Sequence, residues 1–579
     1  MGSPPRYERH MIHESETAPP AASELVATLA DEGVTHLFIN PGTDTAPVQE
    51  ALAAARVAGT PHPRSILCTH EFIALSAAMG HYFATGEPQA VMVHVDAGTL
   101  NLGGAIHNAQ RNRLPVVVFA GRTPYSTSPD VPGHRDTFIH WPQEQPDQQG
   151  VMRGFVKWTM EVPRGRELGT IVRRAYQVAR STPTGPAYVT LPREALMEPG
   201  SRAPAARLLT PRPAAPDPSG LADLAAILAD ARRPVIVTAR TGANPAAVDA
   251  LVKVAELLGA PVIDQKHRLN FPPRHRLYAG ADTTPLRTAD AVLLLDTEVP
   301  WVPALEGPPA DAAIVQIDID CVKATMPTWT YLVDVALNAD TALALPLLEE
   351  ELRGLATPER EARWASRREE AAAAMAELHL AWEALGGSSE PHAAADAMLH
   401  ALNKALPPEA VVLEEAVTNK PAVARQIVRE PGQHFETGSP ALGWGVGGAL
   451  GVKLGRPDAP VVTITGDGSF NFGVPTAALW TAHNAGAPFV SVILNNQEYR
   501  ASRLPVQALF PGGSAVEGRD FPETVLSPAP DYARLAEAFG GHGEVVERPD
   551  DLPAALGRAL EAQADGRCAV IDARLPSGG

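Results

Sequence analysis

Carboxylate and amide side chains follow two apolar, β-branched stretches in the last third of the 579-residue sequence. Residues 461–465 (VVTIT) lead into 466–469 (GDGS), and residues 489–494 (FVSVIL) lead into an Asn-Asn pair that ends at Asn496. If the two stretches are neighbouring parallel strands, Asp467 and Asn496 meet at the carboxyl edge of the sheet, where α/β proteins bind ligands. A carboxylate, an amide oxygen, a backbone carbonyl and phosphate oxygens form a ligand set suited to Mg²⁺ or Ca²⁺.

The small residues around Asp467 add a second signal. Gly466 and Gly468 lack side chains, so the backbone there can approach a phosphate closely, and Ser469 belongs to the same turn. Gly-Asp-Gly by itself is common in turns, but here it is combined with a second strand-end signal. Together the two signals predict a diphosphate that is held through a metal ion.

Another chemical candidate lies in the first third of the chain. Glu71 opens an otherwise apolar helical stretch, just after a short predicted strand at Ser65–Thr69. A carboxyl group in an apolar pocket can share a proton near neutral pH and so take part in acid–base chemistry. A carboxylate in the first turn of a helix also simply faces the helix dipole. The residues alone leave both interpretations open.

Three long stretches alternate short β-branched runs with Ala-rich helical segments. This pattern predicts an α/β protein with three domains, each a doubly wound parallel sheet covered by helices on both faces. The predicted strands, besides Ser65–Thr69, are His36–Ile39, Ala90–Val95, Pro115–Ala120, Pro234–Thr238, Pro261–Asp264, Ala291–Asp296, Ala313–Ile319, Val411–Glu414, Val461–Thr465, Phe489–Leu494 and Ala569–Asp572. The predicted units are a disordered tail (1–20), a first domain (21–200), a proline-rich linker (201–220), a central domain (221–350), a helical connector (351–390) and a third domain (391–579).

The composition limits the possible partners. A formal net charge of -18 argues against nucleic acid or an anionic membrane as the main partner. The three cysteines are scattered without CxxC spacing, so neither a disulfide framework nor a zinc site is indicated, as in a reducing cytoplasm. No run approaches about 20 apolar residues and no signal-peptide pattern is present. We therefore expect a cytoplasmic protein with a small-molecule substrate and no membrane span.

The segment 466–496 (GDGSFNFGVPTAALWTAHNAGAPFVSVILNN) resembles a known fingerprint. It is similar to the thiamine diphosphate motif, in which GDG is followed by some two dozen residues and then NN. Here 26 residues separate GDG from NN, toward the long end of the usual spacing. In that family the metal ligands are the aspartate, the second asparagine and the carbonyl two residues further on. The resemblance therefore implies Mg²⁺ bound by Asp467, Asn496 and the backbone of Glu498.

A second match lies in the first domain. The order His70-Glu71, ATG at 84–86, GTLN at 98–101 and LPVVVFAG at 114–121 resembles the pyrimidine-binding domain of the acetolactate synthase and benzoylformate decarboxylase family. The resemblance covers nearly the full chain and makes the three domains pyrimidine-binding, central and diphosphate-binding. It implies that Glu71 bonds the cofactor's aminopyrimidine ring, which then removes the thiazolium C2 proton. In this family that glutamate reaches a cofactor held by a neighbouring subunit, so a dimer is the minimum unit and tetramers are usual.

The resemblance also assigns residues around the cofactor. Thr418 lies where a hydroxyl meets the diphosphate. Leu442 matches the aliphatic residue that wedges between the two cofactor rings, although simple core packing would explain it too. The central domain matches least well, because residues 293–307 (LLLDTEVPWVPALEG) do not look like the segments of flavin-binding relatives. We therefore find no indication of FAD.

Five residues are candidates to face the substrate. His94 stands where benzoylformate decarboxylase has a histidine for proton transfer, and Thr43 stands where that enzyme has a substrate-binding serine. His134 and His140 lie in a loop that borders the site in this family. Glu498 follows the metal-binding asparagine closely, so its side chain is a candidate acid or base. A hydrogen-bonded core histidine or a surface position is the competing interpretation for the three histidines.

The resemblance implies a lyase or carboligase that acts on a 2-oxo acid. Decarboxylation to an aldehyde and acetolactate-type condensation differ only in the fate of a shared intermediate, which pocket residues decide. A 2-hydroxyacyl-CoA lyase and a flavin-dependent 2-oxo acid oxidase are the alternative enzymes. An inactive cofactor-binding scaffold is the alternative outside enzymes, and the presence of both Glu71 and Asp467 argues against it.

Overall fold

The computed structural model describes residues 19–201, 206–265, 268–438 and 440–576. Of the segments predicted to be a tail and a linker, residues 1–18 and 202–205 lie outside the described residues. Pro20, the last residue of the predicted tail, forms a β-bridge with Pro199. The described chain therefore begins packed against the end of the first domain.

The first domain contains a six-stranded sheet in which all neighbours are parallel. Its strands are β1 (His36–Ile39), β2 (Arg64–Leu67), β3 (Ala90–Val93), β4 (Val117–Arg122), β5 (Trp158–Glu161) and β6 (Ala187–Pro192). Its helices are α1 (Ala21–Asp31), α2 (Ala46–Ala58), α3 (Glu71–Thr85), α4 (Val95–Asn101), α5 (Gly104–Arg111), α6 (Gln148–Met152), α7 (Leu168–Arg180) and α8 (Arg193–Met197). The strand order is β2-β1-β3-β4-β6-β5. Helices on both faces bury β3 and β4, which is why these strands are almost wholly apolar.

The central domain is a second parallel six-stranded sheet. Its strands are β7 (Pro234–Thr238), β8 (Val262–Asp264), β9 (Tyr278–Gly280), β10 (Ala291–Leu295), β11 (Ala313–Asp318) and β12 (Val335–Asn338). Its helices are α9 (Pro218–Asp230), α10 (Pro245–Leu258) and α11 (Thr341–Gly354), and the long helix α12 (Pro358–Gly386) connects it to the third domain. The strand order is β12-β11-β10-β7-β8-β9, a doubly wound arrangement.

The third domain repeats the strand order of the first. Its strands are β13 (Val411–Glu415), β14 (His434–Phe435), β15 (Val461–Gly466), β16 (Val490–Asn495), β17 (His542–Val546) and β18 (Ala569–Arg574). Its helices are α13 (Ala394–Ala405), α14 (Lys420–Gln426), α15 (Trp444–Gly455), α16 (Asp467–Phe472), α17 (Pro475–Ala485), α18 (Arg500–Leu509), α19 (Ser514–Gly518), α20 (Tyr532–Ala538) and α21 (Leu552–Ala564). The order is β14-β13-β15-β16-β18-β17, again parallel throughout. The predicted α/β architecture of three doubly wound parallel sheets is thus confirmed.

The strand order reverses at the equivalent position in the sheets of the first and third domains. The strand order changes sense between β1 and β3 in the first sheet and between β13 and β15 in the third. Loops that leave two such neighbouring strands diverge and open a crevice at the carboxyl edge. His94 follows β3 directly and Asp467 follows β15 directly. The two domains therefore present their candidate residues at equivalent positions.

Helices α3 and α15 join the first and third domains along a seam of glycines. An added Cβ on Gly80 would overlap the carbonyl oxygen of Gly448, and one on Gly451 would overlap the carbonyl oxygen of Ala77. One hydrophobic core runs through both domains and includes Phe83 on α3 and Trp444 on α15. Because backbone meets backbone at this seam, the two helices hold the two domains in a fixed relation.

We expect Gly451→Ala to lower the stability of the protein, because the new methyl group must displace backbone rather than a flexible side chain. Overpacking of this kind costs about 1–3 kcal/mol. The thermal unfolding midpoint, measured under fixed conditions, reports the change. Gly557→Ala is the matched control, since Gly557 lies in helix α21 with no atom near its added Cβ, and it should gain about 1 kcal/mol. Equal midpoints for the two variants would contradict the role of the seam.

Helix α12 crosses the outside of the central domain before the chain enters the third domain. The indole of Trp364 donates to the carbonyl oxygen of Ala229 at 3.0 Å and anchors the helix there. Of the helices described, none combines the length and the apolar character needed to cross a bilayer.

Candidate active site

Asp467 begins helix α16 at the carboxyl end of strand β15, and its side chain is buried. One carboxylate oxygen, Oδ1, accepts the backbone N–H of Gly468 at 2.9 Å. The other oxygen, Oδ2, is buried and has no hydrogen-bond partner among the described residues. Burial raises the pKa of Asp467, and the backbone N–H groups of Gly468, Gln497 and Glu498 offset part of that rise. A buried carboxylate oxygen without a partner is a favourable place for a cation.

The loop after strand β16 brings Asn496 and Glu498 beside Asp467. The amide oxygen of Asn496 accepts the backbone N–H of Glu498 at 3.1 Å. Between them, Gln497 has a φ of 55°, a left-handed conformation that non-glycine residues seldom adopt outside tight turns. The carboxylate of Glu498 does not point freely into solvent, because it pairs with Nε of Arg503 at 2.8 Å. Its predicted role as acid or base therefore requires that this ion pair open or pass on a proton.

A cavity of about 300 Å³ lies over these strand ends. Eight residues that the sequence predicted for the cofactor or its metal line it, namely Thr418, Leu442, Gly466, Asp467, Gly468, Ser469, Asn496 and Glu498. The structure thus gathers the whole predicted diphosphate and metal set around one space. The acidic and amide oxygens and the backbone of the glycines that line the cavity fit a diphosphate held by a divalent cation.

A residue that the sequence did not single out holds the Leu442 segment. The buried carboxylate of Glu415, at the end of strand β13, accepts N–H groups of Gly443 at 2.8 Å and Gly445 at 3.0 Å. Gly443 has a φ of 104° and lies against the backbone of Phe472, where a Cβ would overlap. Burial raises the pKa of Glu415 to about 8 although the N–H donors act in the opposite sense. The turn that presents Leu442 is therefore fixed from both sides.

In the first domain, Glu71 is the first residue of helix α3 and is buried. The sequence suggested an apolar pocket around Glu71, but the pocket also contains two polar side chains. The Asn40 amide donates to Oε1 at 2.9 Å and the Asn101 amide donates to Oε2 at 3.1 Å. Both asparagines stand in segments that resemble the family, and their contact with Glu71 is not visible from spacing. All residues lining the cavity described above lie between 416 and 502, so Glu71 is not one of them.

His94 lies at the end of strand β3 and contacts a buried acid. Its Nδ1 bonds the carboxylate of Asp44, and its Nε2 lies 2.9 Å from Nε2 of Gln143. Burial alone would lower the pKa of His94, but the hydrogen bond and the charge of Asp44 outweigh it and raise the pKa. Asp44 and Gln143 were not among the predicted residues. Asp44 directly follows Thr43, so the loop after β1 was the available signal.

The remaining predicted residues divide into two groups. Thr43 Oγ1 lies 3.3 Å from Nε2 of His140, which is buried next to the Asp44 and His94 pair. Burial, together with the charge of nearby Arg193, lowers the pKa of His140, so its neutral ring is a hydrogen-bond partner. The ring of His134 instead bonds the carbonyl of Val131, within its own loop, at 2.9 Å. The structure therefore places His140 beside Thr43, whereas it gives His134 a local structural contact.

Family models match all three domains of the chain. The N-terminal TPP-binding domain of thiamine pyrophosphate enzymes matches residues 21–151, their central domain matches 221–348, and their C-terminal TPP-binding domain matches 417–573. These matches follow the same order as the three sheets.

Relatives align along almost the whole chain. Benzoylformate decarboxylase from Pseudomonas aeruginosa is 29% identical, over 92% of this chain and 95% of its own. Acetolactate synthase isozyme 3 large subunit from Escherichia coli is 25% identical, over 95% of this chain and 94% of its own. The solved structure of the thiamine diphosphate-dependent 4-hydroxybenzoylformate decarboxylase from Rhodococcus jostii RHA1 covers 96% of this chain and 99% of its own, with a TM-score of 0.75 and 24% identity, and bears on the fold. Together with the family models, these relatives establish that the chain belongs to the thiamine pyrophosphate enzyme family and is a thiamine diphosphate-dependent enzyme.

Proposed function

We propose that this enzyme uses thiamine diphosphate and Mg²⁺ to cleave the bond between the carbonyl carbon and the carboxylate of a 2-oxo acid. The observation that carries the proposal is the buried Oδ2 of Asp467, which has no hydrogen-bond partner in the described part of the chain and lies in a cavity lined by the predicted diphosphate-binding residues. The product is an aldehyde, or an acyloin when the acyl group passes to a second carbonyl. The benzoylformate decarboxylase relative supports decarboxylation as the first step.

The residues divide the work of cofactor binding between the two terminal domains. Asp467, Asn496 and the Glu498 carbonyl bind the metal ion. Gly466, Gly468, Ser469 and Thr418 would contact the diphosphate, Leu442 would lie against the cofactor rings, and Glu71 would bond the aminopyrimidine ring. When bound, thiamine diphosphate supplies a thiazolium ring that accepts the electron pair of the breaking bond.

The substrate binds at a cluster in the first domain that comprises Thr43, His94 and His140. Thr43, with the neutral ring of His140 behind it, offers a hydroxyl to the substrate carboxylate or carbonyl. His94 supplies the proton that the aldehyde requires. A 2-oxo acid suits this cluster because it presents adjacent carboxylate and carbonyl oxygens to hydroxyl and imidazole donors.

The test is a substrate panel with the reconstituted enzyme. We expect incubation with aliphatic and aromatic 2-oxo acids, with thiamine diphosphate and Mg²⁺, to give carbon dioxide and an aldehyde or acyloin, identified by mass. Acyl-CoA thioesters and protein without added cofactor are the controls. If the enzyme turned over a 2-hydroxyacyl-CoA but no 2-oxo acid, the proposal would be wrong and the enzyme would be a CoA lyase.

We also propose that each complete site forms between two chains of a homo-oligomer, at least a dimer and by resemblance a tetramer. Glu71 lies outside the 300 Å³ cavity of its own chain. Exposed apolar side chains border both half-sites: Leu100 next to Asn101 is 60% exposed, and Phe472 on the cavity wall is 56% exposed. Such side chains suit burial against a second copy.

The reduced cysteines fit a cytoplasmic location.

Mixing two inactive variants tests this assembly. Glu71→Gln and Asp467→Ala each damage a different half-site, so a mixed dimer retains one site with both halves intact. After subunit exchange we expect recovery of activity in about a quarter of the sites. Each variant alone, taken through the same exchange, is the control. No recovery in a preparation shown to contain mixed dimers would place the complete site within one chain.

A further inference from the structure

The contact between Asp44 and His94 has a function beyond packing. We propose that Asp44 is a positioning residue that holds His94 as a proton donor with its Nε2 toward the substrate, and so directs the enzyme toward aldehyde release. This inference rests on the proposed function. It adds a residue and a product preference that the proposed function leaves open.

The geometry fixes the orientation of the imidazole ring. Asp44 is only 1% exposed, and its Oδ1 bonds Nδ1 of His94. Because a carboxylate can only accept, Nδ1 carries a hydrogen. The second oxygen, Oδ2, receives the backbone N–H of Val95 at 3.5 Å. One buried carboxylate therefore binds both the ring of His94 and the backbone that follows it.

The turn that carries His94 is strained. Val95 has a φ of 27°, which is unfavourable for a β-branched residue because Cβ crowds the backbone. Strain of this kind persists only where the surroundings over-determine the conformation, and it concentrates at functional sites. The N–H contact with Asp44 is part of that surrounding structure. The chain thus accepts an unfavourable backbone where the histidine leaves the strand.

Two glycines make room for the pair. An added Cβ on Gly42 would overlap the imidazole ring of His94, and one on Gly121 would overlap the Asp44 carboxylate. Gly42 lies in the loop after β1, and Gly121 lies near the end of β4. Two separate elements therefore lack side chains where the acid and the histidine meet. Only glycine at both positions allows this close approach.

The second ring nitrogen of His94, Nε2, lies beside the Gln143 amide and can also carry a proton. Nε2 of Gln143 lies 2.9 Å from Nε2 of His94, whereas Oε1 of Gln143 is buried and has no partner among the described residues. Rotation of the amide by 180° exchanges these two atoms. In that orientation Oε1 accepts a hydrogen from Nε2, and both ring nitrogens are protonated. In this orientation the surroundings of His94 accommodate the imidazolium form, and Oε1 of Gln143 gains a hydrogen-bond partner.

The charges that face His94 favour the same form. Carboxylates approach it from three elements: Asp44 from the loop after β1, Asp96 from helix α4 and Glu71 from helix α3. His140, whose pKa is lowered mainly by burial, faces the same Asp44 carboxylate and adds no competing charge near neutral pH. The His94 side chain is 23% exposed. Its Nε2 contacts the Gln143 amide, so a substrate that displaces this amide would take the proton from Nε2.

The product preference follows from which atom receives the proton. Decarboxylation to an aldehyde is R–CO–COO⁻ + H⁺ → R–CHO + CO₂. The former carbonyl carbon exchanges its bond to the carboxylate carbon for a bond to hydrogen, and the carboxylate leaves as CO₂. His94 delivers that proton from Nε2 and regains one from solvent water. When the proton reaches this carbon slowly, the carbon instead bonds to a second carbonyl carbon, whose oxygen takes up the proton from solvent, and the product is an acyloin: R–CO–COO⁻ + R′–CHO + H⁺ → R–CO–CH(OH)–R′ + CO₂.

The experiment compares the wild type with Asp44→Asn, a change that keeps the shape and removes the charge. Protein labelled with ¹³C at histidine Cε1 gives a titration curve for His94, assigned by the signal lost in His94→Gln. In the cofactor-free protein we expect the His94 midpoint to fall by about one pH unit or more in Asp44→Asn. In the reconstituted enzyme we expect the aldehyde-to-acyloin ratio above neutral pH to fall about tenfold or more.

Two further variants keep the result interpretable. Asp96→Asn removes a carboxylate that acts on His94 without a hydrogen bond, so its midpoint shift should be clearly smaller. Gly121→Ala pushes the Asp44 carboxylate from its place and should reproduce both effects of Asp44→Asn. A His94 midpoint equal to the wild type in Asp44→Asn would overturn the proposal. So would a shifted midpoint with an unchanged product ratio, whereas absence of all products from the wild type would refute the proposed function instead.

Discussion

Glu71→Gln is expected to retain cofactor binding but to lose exchange of the thiazolium C2 proton. Glutamine keeps the shape of the side chain: its amide oxygen can still accept from one of Asn40 and Asn101, and its NH₂ group can donate to the other asparagine once that amide turns its oxygen inward. It cannot share a proton with the ring nitrogen of the cofactor, because an amide has no ionisable proton near neutral pH. Loss of one acid–base group costs about 10²–10⁴-fold in rate.

Deuterium exchange at C2 of the bound cofactor, followed by quenched NMR, measures this step without any substrate. Glu194→Gln is the matched control, because Glu194 is an equally buried carboxylate of the same domain whose Oε1 accepts the Ser126 N–H at 2.9 Å. The control should exchange at the wild-type rate. Wild-type exchange in Glu71→Gln would remove Glu71 from the mechanism.

Asp467→Ala is expected to abolish the Mg²⁺-dependent part of thiamine diphosphate affinity. The substitution removes the buried oxygen for which the described residues provide no hydrogen-bond partner, and it leaves Asn496 as the remaining proposed side-chain ligand. Changes one shell away from a metal cost about 10–100-fold in affinity, so loss of a direct carboxylate ligand should cost more. Titration calorimetry with and without Mg²⁺ separates the metal-dependent part of the affinity from the rest.

Asp572→Asn controls for the loss of a buried carboxylate on the same sheet. Both oxygens of Asp572 already have partners, the Asn495 amide at 2.8 Å and Nε of Arg574 at 3.4 Å. Its replacement should therefore change cofactor affinity only a few-fold. If Asp467→Ala bound the cofactor as tightly as the wild type in the presence of Mg²⁺, the metal assignment would be wrong.

The strands that the sequence did not indicate are mostly edge strands. Strands β5, β9, β12, β14 and β17 each lie at the edge of a sheet. Strands β5 (WTME) and β17 (HGEVV) are partly exposed, whereas β9 and β14 are buried but only three and two residues long. These strands therefore lack the continuous apolar run that identified β3 or β15. Strand β6 is buried but is flanked by Pro186 and ends at Pro192, and prolines are ordinarily loop signals.

The residues of the candidate site also differ in whether the sequence could predict them. Asp467 and Asn496 could be predicted because each follows its own strand, and strand ends meet at a sheet edge whatever the distance in sequence. The partners of His94 and Glu71 could not, because the contacts join loops that are dozens of residues apart. The bond from Gln143 to His94, for example, spans 49 residues. Contacts of this kind depend on the three-dimensional course of the loops, for which the sequence has no local signal.

The glycine seam between helices α3 and α15 has a consequence for protein engineering. Because Gly80 and Gly451 lie against backbone, neither side of the seam can gain a methyl group without a matching change opposite. A chimera that takes its first domain from one relative and its third domain from another therefore combines an α3 and an α15 from different parents, and we expect it to pack poorly unless both keep these glycines. An exchange that keeps the seam intact replaces the central domain alone, so that α3 and α15 both stay with one parent.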